Sequence, residues 1–239
     1  VQVSGKVNCG TSGYFTISSN SVSSNALCRG SVTIPEGVVG IGAHAFDHDV
    51  NGSIRPNVET LTISSSVLTI GNFAFRKSKL TELVIPNNVT SIGIQSFIFS
   101  EEITSIVIGS GITAIPDNAF DALIKLNSLT LPSTLTSIGG YAFWNTQQLT
   151  TITIPDGVHT IADHAFGDPP VGRTINYCGN ASLTGYLVTE RTIRNTSSCT
   201  PAPPLSLAAN AGSESATISF NAGASFGASI TNYEYSING

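Results

Sequence analysis

A Gly-x-Ser-x-Gly segment is the part of this chain that most resembles a catalytic motif. Gly223, Ser225 and Gly227 have the spacing of the nucleophile elbow of hydrolases. That motif requires a strand that turns sharply into a helix on an α/β sheet. Here the segment lies between two predicted strands, in a loop rich in Gly, Ala and Ser. We therefore predict that Ser225 is not a nucleophile and that the protein is not an enzyme.

Two histidines have a spacing that could hold a metal ion. His44 and His48 are four residues apart, as in zinc-binding helices, but Phe46 between them belongs to a packing register and no general-base Glu accompanies them. Asp163 and His164 occupy the equivalent position further along the chain. We interpret these residues as surface turn residues, and we predict no metal site and no cofactor.

The charged residues are few and scattered. Asp, Glu, Lys and Arg make up 10% of the chain, and the net charge is −5. The basic cluster Arg76, Lys77 and Lys79 fits a solvated turn better than an anion site. Nucleic-acid binding needs a basic face, so we predict no nucleic-acid partner. No apolar run approaches the ~20 residues of a membrane span.

Three glutamates come nearest to the paired carboxylates that glycosidases use. They are Glu82, Glu101 and Glu102, and none has an evident basic partner in the sequence. Hydrolysis of a glycosidic bond requires two carboxyl groups on opposite sides of that bond. This pattern does not predict such a pair.

A repeat of about 23 residues organises the elements that carry these side chains. Phe46, Phe75, Phe97, Phe120, Phe143 and Phe166 recur at steps of 29, 22, 23, 23 and 23 residues. Two apolar registers run with the same steps, one from Ile34 to Ile154 and the other from Ile41 to Ile161. The long first step reflects an insertion of about six residues around 51–56. One period common to three registers predicts a stack of repeats.

The sixth repeat shows how one unit is built. Ile152 to Ile154 alternates apolar and polar residues, as a half-buried strand does, and Pro155 ends the strand. Val158 and Ile161 are predicted to point inward, and Ala165-Phe166 to begin a tight helical or 3₁₀ corner. One unit buries too little apolar surface to offset its chain entropy, so neighbouring units must share one core and one parallel sheet.

This pattern resembles the BspA-like (Treponema-type) leucine-rich repeats of bacterial surface proteins over roughly residues 31–178. The likeness lies in the runs Leu83-Val-Ile-Pro86, Val89-Thr-Ser-Ile92-Gly93, Leu129-Thr-Leu-Pro132, Leu135-Thr-Ser-Ile138-Gly139 and Ala142-Phe143. It implies a right-handed, mainly β solenoid of about six repeats of 22–23 residues. It also implies an extracellular or cell-surface protein that binds a protein or a glycan.

The outward face of the predicted sheet is the candidate binding surface, because its residues alternate with the core positions and stack in columns. One column starts at Ser31 and the other at Thr33. The residues we single out are Thr60, Thr62, Glu82, Val84, Ser105, Val107, Ser128, Thr130, Thr151 and Thr153. Thr is also a good strand former, so these columns have a purely structural explanation as well. Regular Thr columns also leave ice binding open, although Glu82, Val84 and Val107 interrupt the regularity.

The four cysteines lie outside the repeats, Cys9 and Cys28 before them and Cys178 and Cys199 after them. Six stacked strands separate the two ends by roughly 25–30 Å, whereas disulfides need Cα atoms within about 7 Å. This predicts the pairs Cys9–Cys28 and Cys178–Cys199. Disulfides indicate an oxidising, extracellular compartment.

The last residues resemble the beginning of a fibronectin type III domain, over 203–239. The likeness lies in the alternating stretches Leu205–Leu207, Ala216–Phe220 and Ile230–Tyr235. Such a sandwich needs about seven strands, so we expect this segment to be completed by further chain or by another molecule. Its open strand edges leave self-assembly into an appendage or matrix as an alternative function.

The predicted organisation has five parts. They are an N-terminal cap (1–30), a leucine-rich-repeat solenoid (31–178), a C-terminal cap (179–199), a Pro-rich linker (200–204) and a partial fibronectin-like segment, that is, a partial β-sandwich tail (205–239).

Overall fold

The computed structural model describes residues 3–23, 27–48, 57–168, 170–177 and 179, and the backbone of three later strands at 192–195, 206–211 and 216–221. These residues form strands joined by turns, and the described part of the chain contains no helix. The chain winds into a β solenoid of six coils, each with one buried Phe. The predicted solenoid and its parallel sheets are confirmed.

Each coil places one strand on a face that we call the main face. These strands are β4 (Arg29–Ile34), β6 (Asn57–Ile63), β8 (Glu82–Ile85), β10 (Ser105–Ile108), β12 (Ser128–Thr130) and β14 (Thr151–Ile154), followed by β16 (Arg173–Tyr177) and β17 (Thr192–Asn195). Their alternation of exposed and buried residues is the period of a half-buried strand. The strands form three parallel ladders, β4-β6, β8-β10-β12 and β14-β16-β17.

A second set of strands, each two residues long, follows the turn after each main-face strand. These are β5 (Gly40–Ile41), β7 (Thr69–Ile70), β9 (Ser91–Ile92), β11 (Ala114–Ile115), β13 (Ser137–Ile138) and β15 (Thr160–Ile161). They pair in parallel from coil to coil, in the ladders β5-β7-β9 and β11-β13-β15. Pro155 comes directly after β14, as predicted, and Val158 and Ile161 are buried.

The aromatic register forms a continuous stack inside the solenoid. The rings of Phe46, Phe75, Phe97, Phe120, Phe143 and Phe166 lie nearly parallel, with neighbouring centroids 5.1 to 5.6 Å apart. All six side chains are buried. Offset-stacked rings at this separation attract one another beyond the area they bury. The shared interior that the repeat predicts is therefore confirmed.

The corners that carry these rings are turns, so the prediction of short helical corners was wrong. The residue before each Ala-Phe or Ser-Phe pair has a positive φ, for example 54° at His44 and 56° at Tyr141, which a right-handed helix excludes. The Phe N–H groups donate to the next coil: Phe75 to the carbonyl of Ser96 (2.8 Å) and Phe120 to that of Ala142 (2.9 Å). These N–H groups therefore make no helical bond within their own coil, and the N–H groups between them close single turns, as Ala74 does onto the carbonyl of Gly71 (3.3 Å).

Antiparallel strands precede the coils. β1 (Gly5–Asn8), β2 (Tyr14–Ser18) and β3 (Ser21–Val22) pair in order, and β3 continues in parallel onto β5. Phe15 packs edge-on against Phe46, with 5.7 Å between ring centroids. The disulfide Cys9–Cys28 closes this segment, with Cα atoms 5.4 Å apart, as predicted. The predicted partners Cys178 and Cys199 lie outside the described residues.

Two later strands form an antiparallel hairpin. β18 (Ser206–Ala211) pairs with β19 (Ala216–Asn221) along their whole length. Both overlap stretches predicted as strands, whereas the third predicted strand, Ile230–Tyr235, lies outside the described residues. The resemblance of this segment to a fibronectin type III domain stays a prediction, and so do the boundaries of the caps and the linker.

Candidate functional site

The main face carries the two predicted columns in lateral register. In the ladder β8-β10-β12, Ser105 lies beside Glu82 and Ser128, and Val107 lies beside Val84 and Thr130. Thr60 and Thr62 are in register with Ser31 and Thr33 in the ladder β4-β6. Thr151 and Thr153 are in register with Thr174 and Asn176, so the columns extend one strand beyond the residues that the sequence singled out.

The centre of the main face is apolar and open. The side chains of Val84 and Val107 are 59% and 43% exposed, and the two valines are direct neighbours. Of the ten predicted residues, Ser105 is half-buried and the other nine are exposed. A face of hydroxyls around an exposed apolar centre offers hydrogen bonds together with hydrophobic contact to a partner.

A recess of about 160 Å³ interrupts the main face between β6 and β8, where no strand ladder joins the described strands. Its lining residues are Glu59, Thr60, Leu61, Thr81, Glu82 and Val84. Two carboxylates therefore lie on the same part of the face, beside the exposed Val84. The amide of Asn57 donates to one of them, at Oε1 of Glu59 (3.2 Å).

The first of the histidines considered as metal ligands belongs to a hydrogen-bonded corner. Nδ1 of His44 donates to Oδ2 of Asp47 (2.7 Å), and Nε of Arg76 donates to Oδ1 of the same carboxylate (2.9 Å). The ring of His44 stacks on the ring of Phe73, and the guanidinium of Arg76 lies 5.2 Å from the centroid of the Phe73 ring. The buried Asp47 therefore joins two coils through charge-assisted bonds.

The rest of the basic cluster lines a second recess, of about 380 Å³. Its described lining consists of His48, Lys77, Lys79, Phe99 and Glu101. Lys77 Nζ lies 6.0 Å from the centroid of the Phe99 ring. The carboxylate of Glu101 lies among these cations and lowers the net positive charge of the recess.

Within the part of the chain that the structure describes, no three His, Cys, Asp or Glu side chains are grouped so that they could hold a metal ion.

One of the three glutamates has a basic partner, so the expectation that none has one was wrong. Nζ of Lys125 donates to Oε2 of Glu102 (2.6 Å) from the next coil, 23 residues away. This hydrogen bond, with the charge of Lys125, lowers the pKa of the Glu102 carboxyl. One repeat period separates the two residues, so the period itself could have predicted the contact.

A cluster of aromatic side chains on the outside of coils five and six was not singled out in the sequence. We call Tyr141, Trp144 and His164 the aromatic platform. Tyr141 stacks on His164 (4.9 Å between centroids, 7° between planes), and Trp144 is tilted against both rings, at 5.3 Å and 5.6 Å. Tyr141 is 41% exposed, and the other two are half-buried. The signal in the sequence was the 23-residue step from Tyr141 to His164, which puts two rings at one corner position.

A buried arginine was also missed. Arg173 is fully buried in β16 and donates through Nε to the carbonyl of Leu149 (2.8 Å) and through Nη1 to that of Phe166 (2.9 Å). Its Nη2 group donates to the carbonyl and the hydroxyl of Thr146. Burial lowers the pKa of the guanidinium to about 10, although the charge of Asp168 opposes that change. The group therefore stays protonated at neutral pH and binds backbone carbonyls of coils five and six.

The coils, their period and the stacked interior define a leucine-rich-repeat protein. Residues 53–170 match the BspA type leucine rich repeat region in six copies. This match agrees with the resemblance found in the sequence.

Solved structures similar to this chain come from several bacteria. A leucine-rich repeat protein from Eubacterium ventriosum is 26% identical, with a TM-score of 0.53, over 70% of this chain and 50% of that one. The pneumococcal vaccine antigen PcpA is 17% identical, with a TM-score of 0.47, over 72% of this chain and 53% of that one. A leucine-rich repeat protein of T. pallidum is 19% identical, with a TM-score of 0.41, over 66% and 64%.

The match spans about half the length of the first two of these proteins. No curated protein matches the sequence. Among the described residues, no helix has the length and apolar character needed to cross a membrane.

Proposed function

We propose that this chain is the binding region of an extracellular or cell-surface bacterial protein, and that it engages a protein or glycan partner through the main face without catalysis. The observation that carries the proposal is the open main face, on which Val84 and Val107 lie side by side among hydroxyl side chains. Exposed apolar groups rimmed by polar ones are typical of interaction surfaces.

The compartment is supported by the chemistry of the N-terminal segment. A disulfide between Cys9 and Cys28 forms and persists in an oxidising environment, outside the cytosol. The five-part organisation predicted from the sequence is part of the same proposal, with 1–30 and 179–199 as caps and 205–239 as the start of a further domain.

A protein partner fits the main face better than a glycan does. Neither column contains an aromatic side chain, whereas an extended protein segment can use the paired valines for apolar contact and the Ser and Thr hydroxyls for hydrogen bonds. Glu82 and Glu59 flank this centre with negative charge and favour a partner with Lys or Arg beside its apolar residues.

Substitutions on the main face and on the second set of strands test the proposal. The protein is screened by surface plasmon resonance against immobilised extracellular-matrix proteins and glycans, and each hit is repeated with Thr62→Lys, Thr130→Lys and Val107→Lys. Thr69→Lys and Thr160→Lys are the matched controls, because these exposed threonines lie on β7 and β15 instead. We expect at least tenfold weaker binding for Val107→Lys and unchanged binding for the controls. Binding that survives all three main-face changes contradicts the proposal.

Two alternatives give different results. Ice binding requires thermal hysteresis or ice shaping by the purified protein. Self-assembly requires concentration-dependent polymers that disappear when residues 203–239 are deleted. The antiparallel pair β18-β19 is the described part of that segment.

A further inference from the structure

We propose that the aromatic platform at the corner of coils five and six is a binding site for neutral saccharides, separate from the main face. The platform presents ring surface and planar polar groups together, and the nearest Arg in the sequence, Arg173, is fully buried. These features match the two chemistries of a sugar ring, which has apolar C–H faces and a rim of hydroxyls.

The rings of the aromatic platform are held in place by contacts between coils five and six. The Trp144 ring packs directly on Gly167, since a Cβ built at Gly167 would lie 2.1 Å from Cζ3 of that ring. Tyr141 stacks on His164 from the next coil, and its peptide N–H donates to the carbonyl of Asp163 (3.4 Å). The platform is thus preorganised, so little side-chain entropy is lost when a ligand stacks on it.

Planar polar groups border the same corner. Nε2 of Gln147 donates to Oδ1 of Asn145 (3.0 Å) and to Oδ2 of Asp168 (2.8 Å). Asn145 directly follows Trp144, and its backbone N–H donates to the carbonyl of Gly167 (3.1 Å), the residue that the Trp144 ring covers. An amide, a second amide and a carboxylate therefore lie beside the rings, where they can donate to sugar hydroxyls and accept from them.

Charge selects among the ligands that stack on aromatic rings. Between Lys125 and Arg173 the sequence has three aspartates, Asp156, Asp163 and Asp168, and neither Lys nor Arg. Arg173 itself is fully buried. An anionic ligand such as a nucleic acid or a sulfated glycan would meet repulsion here, whereas a neutral saccharide would not.

The corresponding corner near the N-terminus serves as a matched comparison. His44 and Phe73 hold the same register as Tyr141 and His164 and also stack, but Arg76 lies over Phe73 and is paired with Asp47. The register alone therefore does not make the site. The additional features at coils five and six are Trp144 and its border of amides and a carboxylate.

Trp144 is the only tryptophan in the chain, so its fluorescence reports on this corner directly. The protein is titrated with neutral oligosaccharides of glucose, mannose, galactose and N-acetylglucosamine. We expect a saturable change in emission with at least one of them. The affinity should be the same in low salt and in about 0.5 M NaCl, because a neutral ligand forms no ion pair that salt could screen.

Tyr141→Asn is the informative variant, because Asn118 holds the same left-handed position in the previous coil and the reporter Trp144 is kept. We expect binding about tenfold weaker or absent in this variant, since the stacking surface is lost. Phe73→Asn is the control at the other corner and should bind as the unchanged protein does.

Three results would overturn the proposal. They are the absence of a saturable change with every saccharide, equal binding by Tyr141→Asn, and a response only to cationic probes such as lysine oligomers that disappears with salt. The last result would mean that the platform binds a basic protein segment. Binding to the main face is measured with other variants, so either proposal can fail while the other stands.

Discussion

At the centre of the stack, Phe120 contacts a ring on either side, with centroids 5.6 Å from Phe97 and 5.3 Å from Phe143. Phe120→Ala should lower the free energy of unfolding by about 3–5 kcal/mol, because it leaves a cavity between two coils. Phe99→Ala is the control, since Phe99 is 43% exposed and Ala122 holds the equivalent position in the next coil. Its effect should stay within about 0.5 kcal/mol. Guanidinium denaturation of both variants measures the difference, and equal losses would contradict a stacked interior.

One buried hydroxyl breaks the pattern of the corners. Ser96 replaces the Ala that precedes Phe in the other five coils, and among the described residues its Oγ is buried with no hydrogen-bond partner. Ser96→Ala should raise the free energy of unfolding by about 1 kcal/mol, because an unpaired polar group no longer has to be buried. The measurement is the shift of the denaturation midpoint.

The control for this change is Ser100→Ala in the same coil. The hydroxyl of Ser100 donates to the carbonyl of Phe75 (3.0 Å) and accepts from the backbone N–H of Ser78 (3.1 Å). Removing it should cost about 1–3 kcal/mol. Stabilisation by both changes, or by neither, would show that hydrogen bonding does not decide the outcome.

At the scale of the element, the turn after β10 lies very close to the corresponding turn of the previous coil. A Cβ at Gly109 would lie 2.5 Å from the carbonyl carbon of Pro86 in the previous coil, whereas a Cβ at Gly157 would have its nearest contact at 3.4 Å. Gly109→Ala should therefore destabilise the protein by about 1–3 kcal/mol, as overpacking does. Gly157→Ala should be close to neutral. Thermal unfolding of the pair checks this, and equal melting temperatures would contradict the close approach of the coils.

The backbone structure of the corners could not be predicted from the sequence. Ala165-Phe166 has the composition of a helix start, but the sequence does not reveal that the Phe N–H groups bond across to the next coil. The registers of the strands were predictable, because a strict period fixes which residues are neighbours. The same period contained the contact between Lys125 and Glu102 and the stacked pair Tyr141 and His164. In both contacts the two residues are 23 residues apart, so the period alone places the side chains next to each other.

The main face was predictable in its placement but not in its interruptions. Alternation along the strands assigned Val84 and Val107 to the outside, and the structure places them there as neighbours. The recess lies between β6 and β8, which are one ordinary step of 22 residues apart, so nothing in the sequence indicates it. The burial of Arg173 was unpredictable because a charged residue without an evident partner in the sequence is ordinarily exposed.

For the whole molecule, stability depends on the ends of the stack as well as on its centre. The bond between Cys9 and Cys28 closes a segment of 19 residues whose Phe15 covers the first ring of the stack. Replacing both cysteines by Ser should lower the free energy of unfolding by about 3 kcal/mol. Denaturation under non-reducing conditions measures this, and an unchanged midpoint would mean that the bond does not support the solenoid.

The second predicted bridge is tested in the same way. Peptide mapping under non-reducing conditions should find Cys178 linked to Cys199. Replacing this pair by Ser should lower stability independently of the first pair, because the two pairs flank opposite ends of the repeat region and distant changes add. A linkage between Cys9 or Cys28 and either of these residues would contradict the predicted pairing.

Because every coil contributes one ring to the same interior column, the coils are interchangeable inside while they differ outside. Duplication or loss of one whole period in the gene would lengthen or shorten the column by one ring and leave its remaining contacts as they are. Such a protein can gain new exterior surface by recombination within its own coding sequence, without having to evolve a new core.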